Sequence, residues 1–276
     1  MTAEEPTGDS QQQKPQRRVA LFGISGDPPT GYGGHVGIAQ QLLDHLGDAV
    51  DEIRILPVYR HTFVEKQQRL IPYDDRLAMC RLAFGPLRKQ EQSPNQVDDA
   101  TTTTSTQIVV SNAEYESWKW ATQGRQATDV CVGTAALMDY LHHTEPHTVF
   151  SFCLGADSFC SLLDGKWQET DRVLALMQGR FIVVNRIYPT NHGQQNQATT
   201  DIQDQERRAL QERVASVPGA ILLPPNPALG TVSSSQVRSW LKEQGSSSNE
   251  LVDRPERIVP SVLEYIQQHG LYQPDK

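Results

Sequence analysis

The chain has 276 residues, with 25 Lys+Arg against 33 Asp+Glu for a formal charge of −8, which is long enough to bury a sizeable core. No apolar run approaches the roughly 18 residues that span a bilayer, and residues 1–18 carry neither a secretory nor a transit-peptide pattern, so the sequence excludes a transmembrane protein and points to an intracellular, cytoplasmic one. The acidic balance also excludes a general nucleic-acid or membrane-surface binder, while leaving room for a local basic pocket that holds phosphate.

Residues 1–16 have almost nothing to bury and are expected as a disordered tail, leaving 17–276 as a single domain. Arg18-Val-Ala-Leu-Phe-Gly23, an apolar run closed by glycine, predicts a fully buried strand. After a Gly/Pro-rich turn, Ile38, Leu42 and Leu46 recur at helical spacing from His35, with Gly47 expected as the C-cap. Glu52–Val58 is the next strand, and Asp74 and Asp75 open a helix through Leu77, Cys80, Arg81 and Phe84. Gln107–Val110 then reads as a strand, Val132–Leu141 as a helix and Thr148–Leu154 as a strand. Val173–Met177 is helical, Arg180–Val184 a strand, Gln205–Ala215 a helix and Gly219–Leu223 a strand. This alternation, with near-continuously apolar strands, predicts an α/β fold: a doubly wound, Rossmann-like, mostly parallel sheet with helices on both faces. Polar stretches near 93–106, 189–204 and 244–250 read as surface insertions.

Cys80, Cys131, Cys153 and Cys160 are too scattered for a disulfide framework, form no C-x-x-C pair, and read as small hydrophobes. His142, His143 and His147 lack a carboxylate or Cys to complete a ligand set and read as helix-end surface residues. Tyr115, Trp118 and Trp120 follow a strand end; partial core packing is the favoured reading, a substrate lid the alternative.

In an open α/β sheet the ligand crevice lies at the carboxyl ends of the strands, which directs attention to Gly23-Ile-Ser-Gly-Asp27-Pro-Pro-Thr30-Gly-Tyr-Gly-Gly-His35. A glycine-rich turn feeding a helix start exposes N–H groups and the positive end of the dipole, which favours phosphate. The dinucleotide pattern G-x-G-x-x-G fails at Val36, the P-loop fails at Tyr32, and the nucleophile elbow fails at Asp27. An Asp-Pro turn with a histidine at the first helix start is what survives.

That turn carries a resemblance. Leu21-Phe-Gly-Ile-Ser-Gly-Asp-Pro28 resembles the L-F-G-G-[ST]-F-D-P turn of the HxGH nucleotidyltransferases, and Gly34-His35 resembles the end of their [HT]-x-G-H motif, with Thr30 like the Thr of some members. Gly26 stands where that family has Phe, and two residues are inserted between Asp27 and His35. Far along the chain, Ser233 and Gln236 form an S-x-x-Q capping box that starts a helix through Val237, Trp240 and Leu241. Serine hydroxyls, helix N–H groups and Arg238 in the first turn together suit an anion site, the alternative being an ordinary cap with a solvated Arg. The same stretch, Val232-Ser-Ser-Ser-Gln-Val-Arg238, resembles the family's I-S-S-T-x-[IV]-R motif.

Three further segments resemble the nicotinate/nicotinamide mononucleotide adenylyltransferases within that superfamily. They are Gly155-Ala-Asp157-Ser158 with Trp167 beyond it; Pro57-Val-Tyr-Arg60-His61 followed by Lys66, Arg76 and Met79; and the closing helix Val259–Tyr272, with its P-x-x-V-x-x-Y-I-x-x-x-x-L-Y pattern. Arg186 matches a V-x-R position, and Thr134 is the one match where bacterial members read the nicotinate carboxylate, which leaves acid against amide open.

The resemblance implies adenylyl transfer from ATP to nicotinate or nicotinamide mononucleotide, giving the dinucleotide and pyrophosphate in NAD biosynthesis. It assigns His35, Thr30 and Arg238 to catalysis. Gly23, Ile24, Ser25, Asp27, Gly34, His35, Gly155, Asp157, Ser233, Ser234, Ser235 and Arg238 fall to ATP, with Asp157 on a ribose. Lys66, Thr134, Trp167 and Arg186 fall to the mononucleotide, Trp167 stacking on the pyridine ring. Mg2+ is implied as a cofactor carried on ATP phosphates, with no metal site of the protein itself. Small-molecule substrates are the expected partners, with no nucleic acid and no membrane, and a homo-oligomer is left open. Two alternatives stand beside this: a related transferase using another phosphate, such as pantetheine phosphate, and a nucleotide-binding homologue without turnover, suggested by Ile24, Gly26 and the insertion before His35.

Overall fold

Six strands form one all-parallel sheet in the order β3-β2-β1-β4-β5-β6 in the computed structural model, which describes residues 16–61, 67–87, 106–123, 130–185, 197–244 and 254–273. They are β1 (Arg17–Ile24), β2 (Glu52–Pro57), β3 (Gln107–Val110), β4 (Thr148–Gly155), β5 (Phe181–Val184) and β6 (Ile221–Leu222). The helices are α1 (His35–Leu46), α2 (Tyr73–Phe84), α3 (Ala113–Thr122), α4 (Thr134–Thr144), α5 (Ala156–Leu163), α6 (Thr170–Met177), α7 (Gln197–Ala215), α8 (Ser234–Gln244) and α9 (Pro260–Gln268). The chain winds outward from β1 to β3, then crosses back to β4 and winds the other way. Connections leaving β1 and β4 therefore diverge to opposite faces and open a crevice at their carboxyl ends.

Side-chain alternation along β1 builds the two faces. Ala20, Phe22 and Ile24 join one core with Ile38 and Leu42 of α1, Met79 and Phe84 of α2, Val237 and Leu241 of α8, and Val262 and Ile266 of α9. Val19 and Leu21 point the other way, into Leu137 and Met138 of α4, Phe159 of α5, Met177 of α6 and Leu210 of α7. Each fully buried side chain of this kind contributes about 1.5–3 kcal/mol relative to exposure, which is why a strand apolar at every position is stable only between two helical layers.

Gly47 caps α1 as expected, its N–H donating to the Leu43 carbonyl, and it also begins a 3-10 turn, Gly47–Ala49. Several other local expectations change. The strand expected over 219–223 contracts to two residues at the sheet edge, where β6 pairs with β5 alone among the described strands and Ile221 is exposed. The polar stretch 189–204 is helical from Gln197 onward, as the start of α7, while its earlier part, most of the other two insertions and residues 1–15 lie outside the described residues. Thr106, closing the Thr-rich stretch, is buried: its hydroxyl donates to the Val50 carbonyl at 2.9 Å and also to that of Gly47, tying the start of β3 to the turn after α1. Helix α3 was not expected, since its sequence lacks a clear apolar stripe.

At the amino end of the sheet, β2 carries two charged residues inward, Glu52 and Arg54, only 3% and 7% exposed. Arg54 Nε donates to Glu52 Oε1 at 2.5 Å, and its two terminal nitrogens donate to Glu145 at 2.5 and 3.0 Å. Arg17 closes the cluster onto Glu52. Among the described residues, no helix is long and apolar enough to cross a membrane.

Candidate active site

The chain leaves β1 at Ile24 and turns through Ser25–Gly34 before α1 begins at His35. Gly26 sits at φ +64°, and a Cβ there would lie 2.8 Å from Cys80 Sγ, so α2 fills the space beside this glycine. Thr30 is buried and organises the start of α1. Its hydroxyl accepts from the His35 N–H at 2.8 Å, and its own N–H donates to His35 Nδ1 at 3.1 Å. The hydroxyl also lies 2.8 Å from that nitrogen. A backbone N–H can only donate, so Nδ1 accepts and the proton of the neutral ring sits on Nε2.

The lengthened turn is stitched to a distant segment. Gly31, Tyr32 and Gly33 donate from their N–H groups to the carbonyls of Arg257, Pro255 and Glu256 at 2.9, 3.0 and 2.8 Å. The insertion therefore leaves His35 at the helix start, and residues 255–257 carry no motif that would have announced this. Gly34 is required by close approach: a Cβ would stand 2.1 Å from Thr30 Oγ1 and 3.0 Å from the Val232 carbonyl. Gly34→Ala is expected to break the Thr30–His35 clasp and cost about 1–3 kcal/mol by overpacking, read as a fall in Tm.

The late motif folds as its capping box dictates. The Ser233 N–H donates to Gln236 Oε1 at 2.8 Å, and the Gln236 N–H returns to Ser233 Oγ at 3.3 Å. This helix start is docked onto the early turn. Ser234 Oγ donates to the Pro28 carbonyl at 2.8 Å across 206 positions of sequence. Arg238 donates to the Asp27 carbonyl, lies 3.3 Å from Asp27 Oδ2 and donates to Ser235 Oγ at 3.1 Å.

Between the starts of α1 and α8 lies a cleft of about 100 Å³, walled by Thr30, Gly34 and His35 on one side and by Gly230, Ser233 and Ser234 on the other. Neither helix carries an acidic residue in its first turn. Both positive dipole ends are thus left without an acidic side chain of their own to offset them. Arg238 is not part of that wall; it is anchored on Asp27, one helical turn further along α8.

Two residues expected at ATP have side chains that face the protein. Asp27 is 1% exposed, and its carboxylate faces protein groups, Arg238 and the Tyr272 hydroxyl at 2.6 Å, so it holds the surroundings of the site together. The Ile24 side chain is buried in the core beneath α1. Gly23 and Ser25 keep surface exposure beside it.

At the end of β4, Gly155 caps α5 and Asp157 is exposed in its first turn. Trp167 packs edge-on to Phe152 at 6.4 Å, and Phe152 Cζ lies 3.8 Å from where a Gly23 Cβ would be, which places Trp167 near the ends of β4 and β1. Thr134 opens α4 directly after Gly133, whose Cβ position is 3.4 Å from Oε1 of Gln168, the residue that follows Trp167. Lys66 and Arg186 lie outside the described residues.

Sequence reasoning gave Arg76 no role beyond its place in a motif, yet it is a fully buried side chain that binds four carbonyls: Ile71 at 3.1 Å, Ser25 at 2.8 Å, Val58 at 2.5 Å and Tyr59 at 3.2 Å. One guanidinium thereby joins the loops leaving β1 and β2. Burial pulls its pKa below the usual value, opposed by the charge of Asp27. Next to it, Tyr59, Tyr115 and Trp118 form an aromatic cluster with ring centroids 4.9–6.3 Å apart. Trp118 is buried and donates to the Val130 carbonyl at 3.0 Å, as expected for core packing. Trp120 departs from that expectation: it is 46% exposed and stacks on His143. His142 instead packs on Phe150, which parts the histidine run. All four cysteines are free, and burial pushes the Cys80 thiol up to about 12.

Burial also pushes the Glu114 carboxyl up to about 8, against the pull of the Tyr59 N–H that it accepts and of the Arg76 charge. The unfolded chain ionises this group near its ordinary 4.5. As pH rises between these values the unfolded state releases a proton that the fold retains, so stability is lost across that window. Glu114→Gln is expected to remove the loss. Its Tm advantage over the native chain should widen from about pH 5 to about pH 8 and then level off, as thermal unfolding at fixed ionic strength will read.

No family model matches the sequence. A protein of Anaeromyxobacter dehalogenans strain 2CP-1, named "Probable nicotinate-nucleotide adenylyltransferase", is 31% identical over 257 residues, covering 93% of this chain and 97% of the relative. A protein of the same name from Anaeromyxobacter sp. strain K matches to the same extent. Among solved structures, the nicotinic acid mononucleotide adenylyltransferase of Plasmodium falciparum complexed with NaAD has a TM-score of 0.57 at 18% identity, covering 93% of this chain and 97% of that one. Its complex with APC has a TM-score of 0.56. These likenesses bear out the doubly wound fold, and the identity to relatives across nearly their whole length goes further: the chain belongs to the nicotinate-nucleotide adenylyltransferase family.

Proposed function

We propose that the chain joins ATP to a pyridine mononucleotide, whose phosphate attacks the α-phosphorus and expels pyrophosphate. One observation carries this reading: two helix starts without acidic first turns meet His35 at a single cleft, an arrangement suited to a polyanion. The nucleophile is already an anion at neutral pH, so the protein needs no base and no covalent intermediate. In-line positioning and neutralisation of charge on the pentacoordinate phosphorus and leaving group supply the catalysis.

In this reading His35 Nε2–H donates to a phosphate oxygen while Thr30 fixes the ring. The hydroxyls of Ser233, Ser234 and Ser235, the first N–H groups of α8, and Arg238 hold the β- and γ-phosphates. Gly23, Ser25 and Gly34 pass close to the nucleotide through their backbone. Gly155 and Asp157 orient its ribose, and Thr134, Trp167, Lys66 and Arg186 receive the mononucleotide. The residues lining the cleft, Ile38 and Val232 among them, include no carboxylate, and Asp27 is committed to protein donors. The donor set therefore suits Mg2+ carried on the triphosphate itself, where it would neutralise charge on the leaving pyrophosphate.

Incubation with ATP, Mg2+ and, separately, nicotinate mononucleotide, nicotinamide mononucleotide and pantetheine phosphate tests the reading. Pyrophosphate release with a pyridine mononucleotide is expected, and the faster of the two assigns the acid or the amide. Release with pantetheine phosphate alone would move the chain to a related transferase, and ATP binding without any release would overturn turnover altogether.

A further inference from the structure

We propose that Tyr272 is a positioning residue for Arg238, acting through Asp27; this rests on the reading of Arg238 as a triphosphate ligand. Asp27 is 1% exposed, yet its carboxylate is divided between two remote elements. Oδ1 accepts from the Tyr272 hydroxyl at 2.6 Å, and Oδ2 lies 3.3 Å from the Arg238 terminal nitrogen that also donates to the Asp27 carbonyl. The other terminal nitrogen of Arg238 reaches Ser235 Oγ at 3.1 Å. A planar guanidinium takes its orientation from the acceptors that face it. A carboxylate free to rotate about its Cβ–Cγ bond would leave that plane undefined. The phenol removes the rotation by holding the opposite oxygen.

The backbone around Tyr272 points the same way. Tyr272 lies beyond the end of α9 at φ +57°, a left-handed conformation that costs a non-glycine residue energy and persists only where surrounding contacts enforce it. Gly270, at φ +60°, makes the preceding turn. This path folds Leu271 and Tyr272 back onto the core shared by α1, α2, α8 and α9. One helical stretch earlier, Tyr265 donates to Asp75 Oδ1 at 2.9 Å, so α9 is already fastened to α2 without help from Tyr272. The second phenol–carboxylate bond is thus available for a different task, and its acceptor lies in the turn that leads to His35. Burial, together with the neighbouring Asp27 charge, holds the Tyr272 phenol above its ordinary pKa, so it stays protonated and donates.

A double-mutant cycle separates positioning from mere docking of the closing helix. ATP affinity by calorimetry, pyrophosphate release at saturating substrates and thermal unfolding are measured for the native chain, Tyr272→Phe, Arg238→Ala and the double variant. Tyr272→Phe is expected to weaken ATP binding and lower kcat about tenfold, the scale of a lost hydrogen bond to a charged group, with the mononucleotide KM unchanged. In the Arg238→Ala background the same change should cost less than about twofold. An equal fold-loss in both backgrounds, or a fall in Tm without a change in kcat or ATP affinity, would overturn the proposal. Should Tyr272→Phe fail to fold, Asp27→Asn, which keeps shape but removes the charge, is carried through the same cycle with the same criteria. A native chain that binds ATP but releases no pyrophosphate would fail the functional reading while the binding cycle still decides this one. A native chain that binds no ATP would overturn both.

Discussion

Replacing His35 with alanine is expected to lower turnover about 10²–10³-fold, the loss seen when one preorganised donor to developing oxyanion charge is removed. The imidazole is held in place before any substrate arrives: Thr30 contacts Nδ1 through both its N–H and its hydroxyl and leaves the ring proton on Nε2. A donor fixed in this way loses little in reorganisation as charge builds, which is where its advantage over water lies. The ring is only partly buried and sits at a helix start, so its removal takes away little core packing. An almost unchanged mononucleotide KM and a collapsed kcat in a pyrophosphate-release assay form the expected signature. Near-normal turnover would remove His35 from the chemistry.

The second large effect lies at the opposite end of the sheet and concerns stability. Arg54→Met is expected to destabilise the fold by about 3–5 kcal/mol, because it strips a buried carboxylate of a partner. Glu52 is 3% exposed and would keep Arg17 as its remaining ion-pair partner, whose side chain is half-exposed. Burial by itself would lower the Arg54 pKa, but the hydrogen bonds it donates to Glu145 and Glu52 outweigh it and hold the guanidinium above its ordinary value, so it stays charged. Arg54→Lys keeps the charge but loses the two-nitrogen grip on Glu145, and should fall between the two. Thermal or urea unfolding reads the series. The kcat of the folded fraction should move little, since the network sits where β1 and β2 begin while the cleft lies beyond the end of β1. A variant as stable as the native chain would show that this cluster carries no net energy.

Parts of the site that depend on neighbours a few residues away were legible in advance. The capping box of Ser233 and Gln236 closes within four residues and formed as its letters require. The His35 helix start followed from the Gly-rich turn and the spacing of Ile38, Leu42 and Leu46. Element ends were less legible where packing decides them: β6 shortened at the sheet edge, and α7 took over a polar stretch that composition marked as an insertion.

What the amino-acid order determined by itself is the alternation of buried strands with amphipathic helices, the two helix starts, and the pairing of an early turn with a late motif. Each rests on periodicity or on hydrogen bonds between near neighbours, and those survive without knowledge of the rest of the chain. Only the tertiary structure decided what the polar side chains face. Asp27, placed by its motif on the nucleotide, turned out to bind Arg238 and Tyr272, which stand 211 and 245 positions away. Arg76, with no role beyond its motif, proved to be the buried tie between two loops, and Glu52 with Arg54 formed a charged core within β2. The role of a buried charge is set by whichever partner replaces its lost water, and that partner is chosen by the fold, not by distance along the chain.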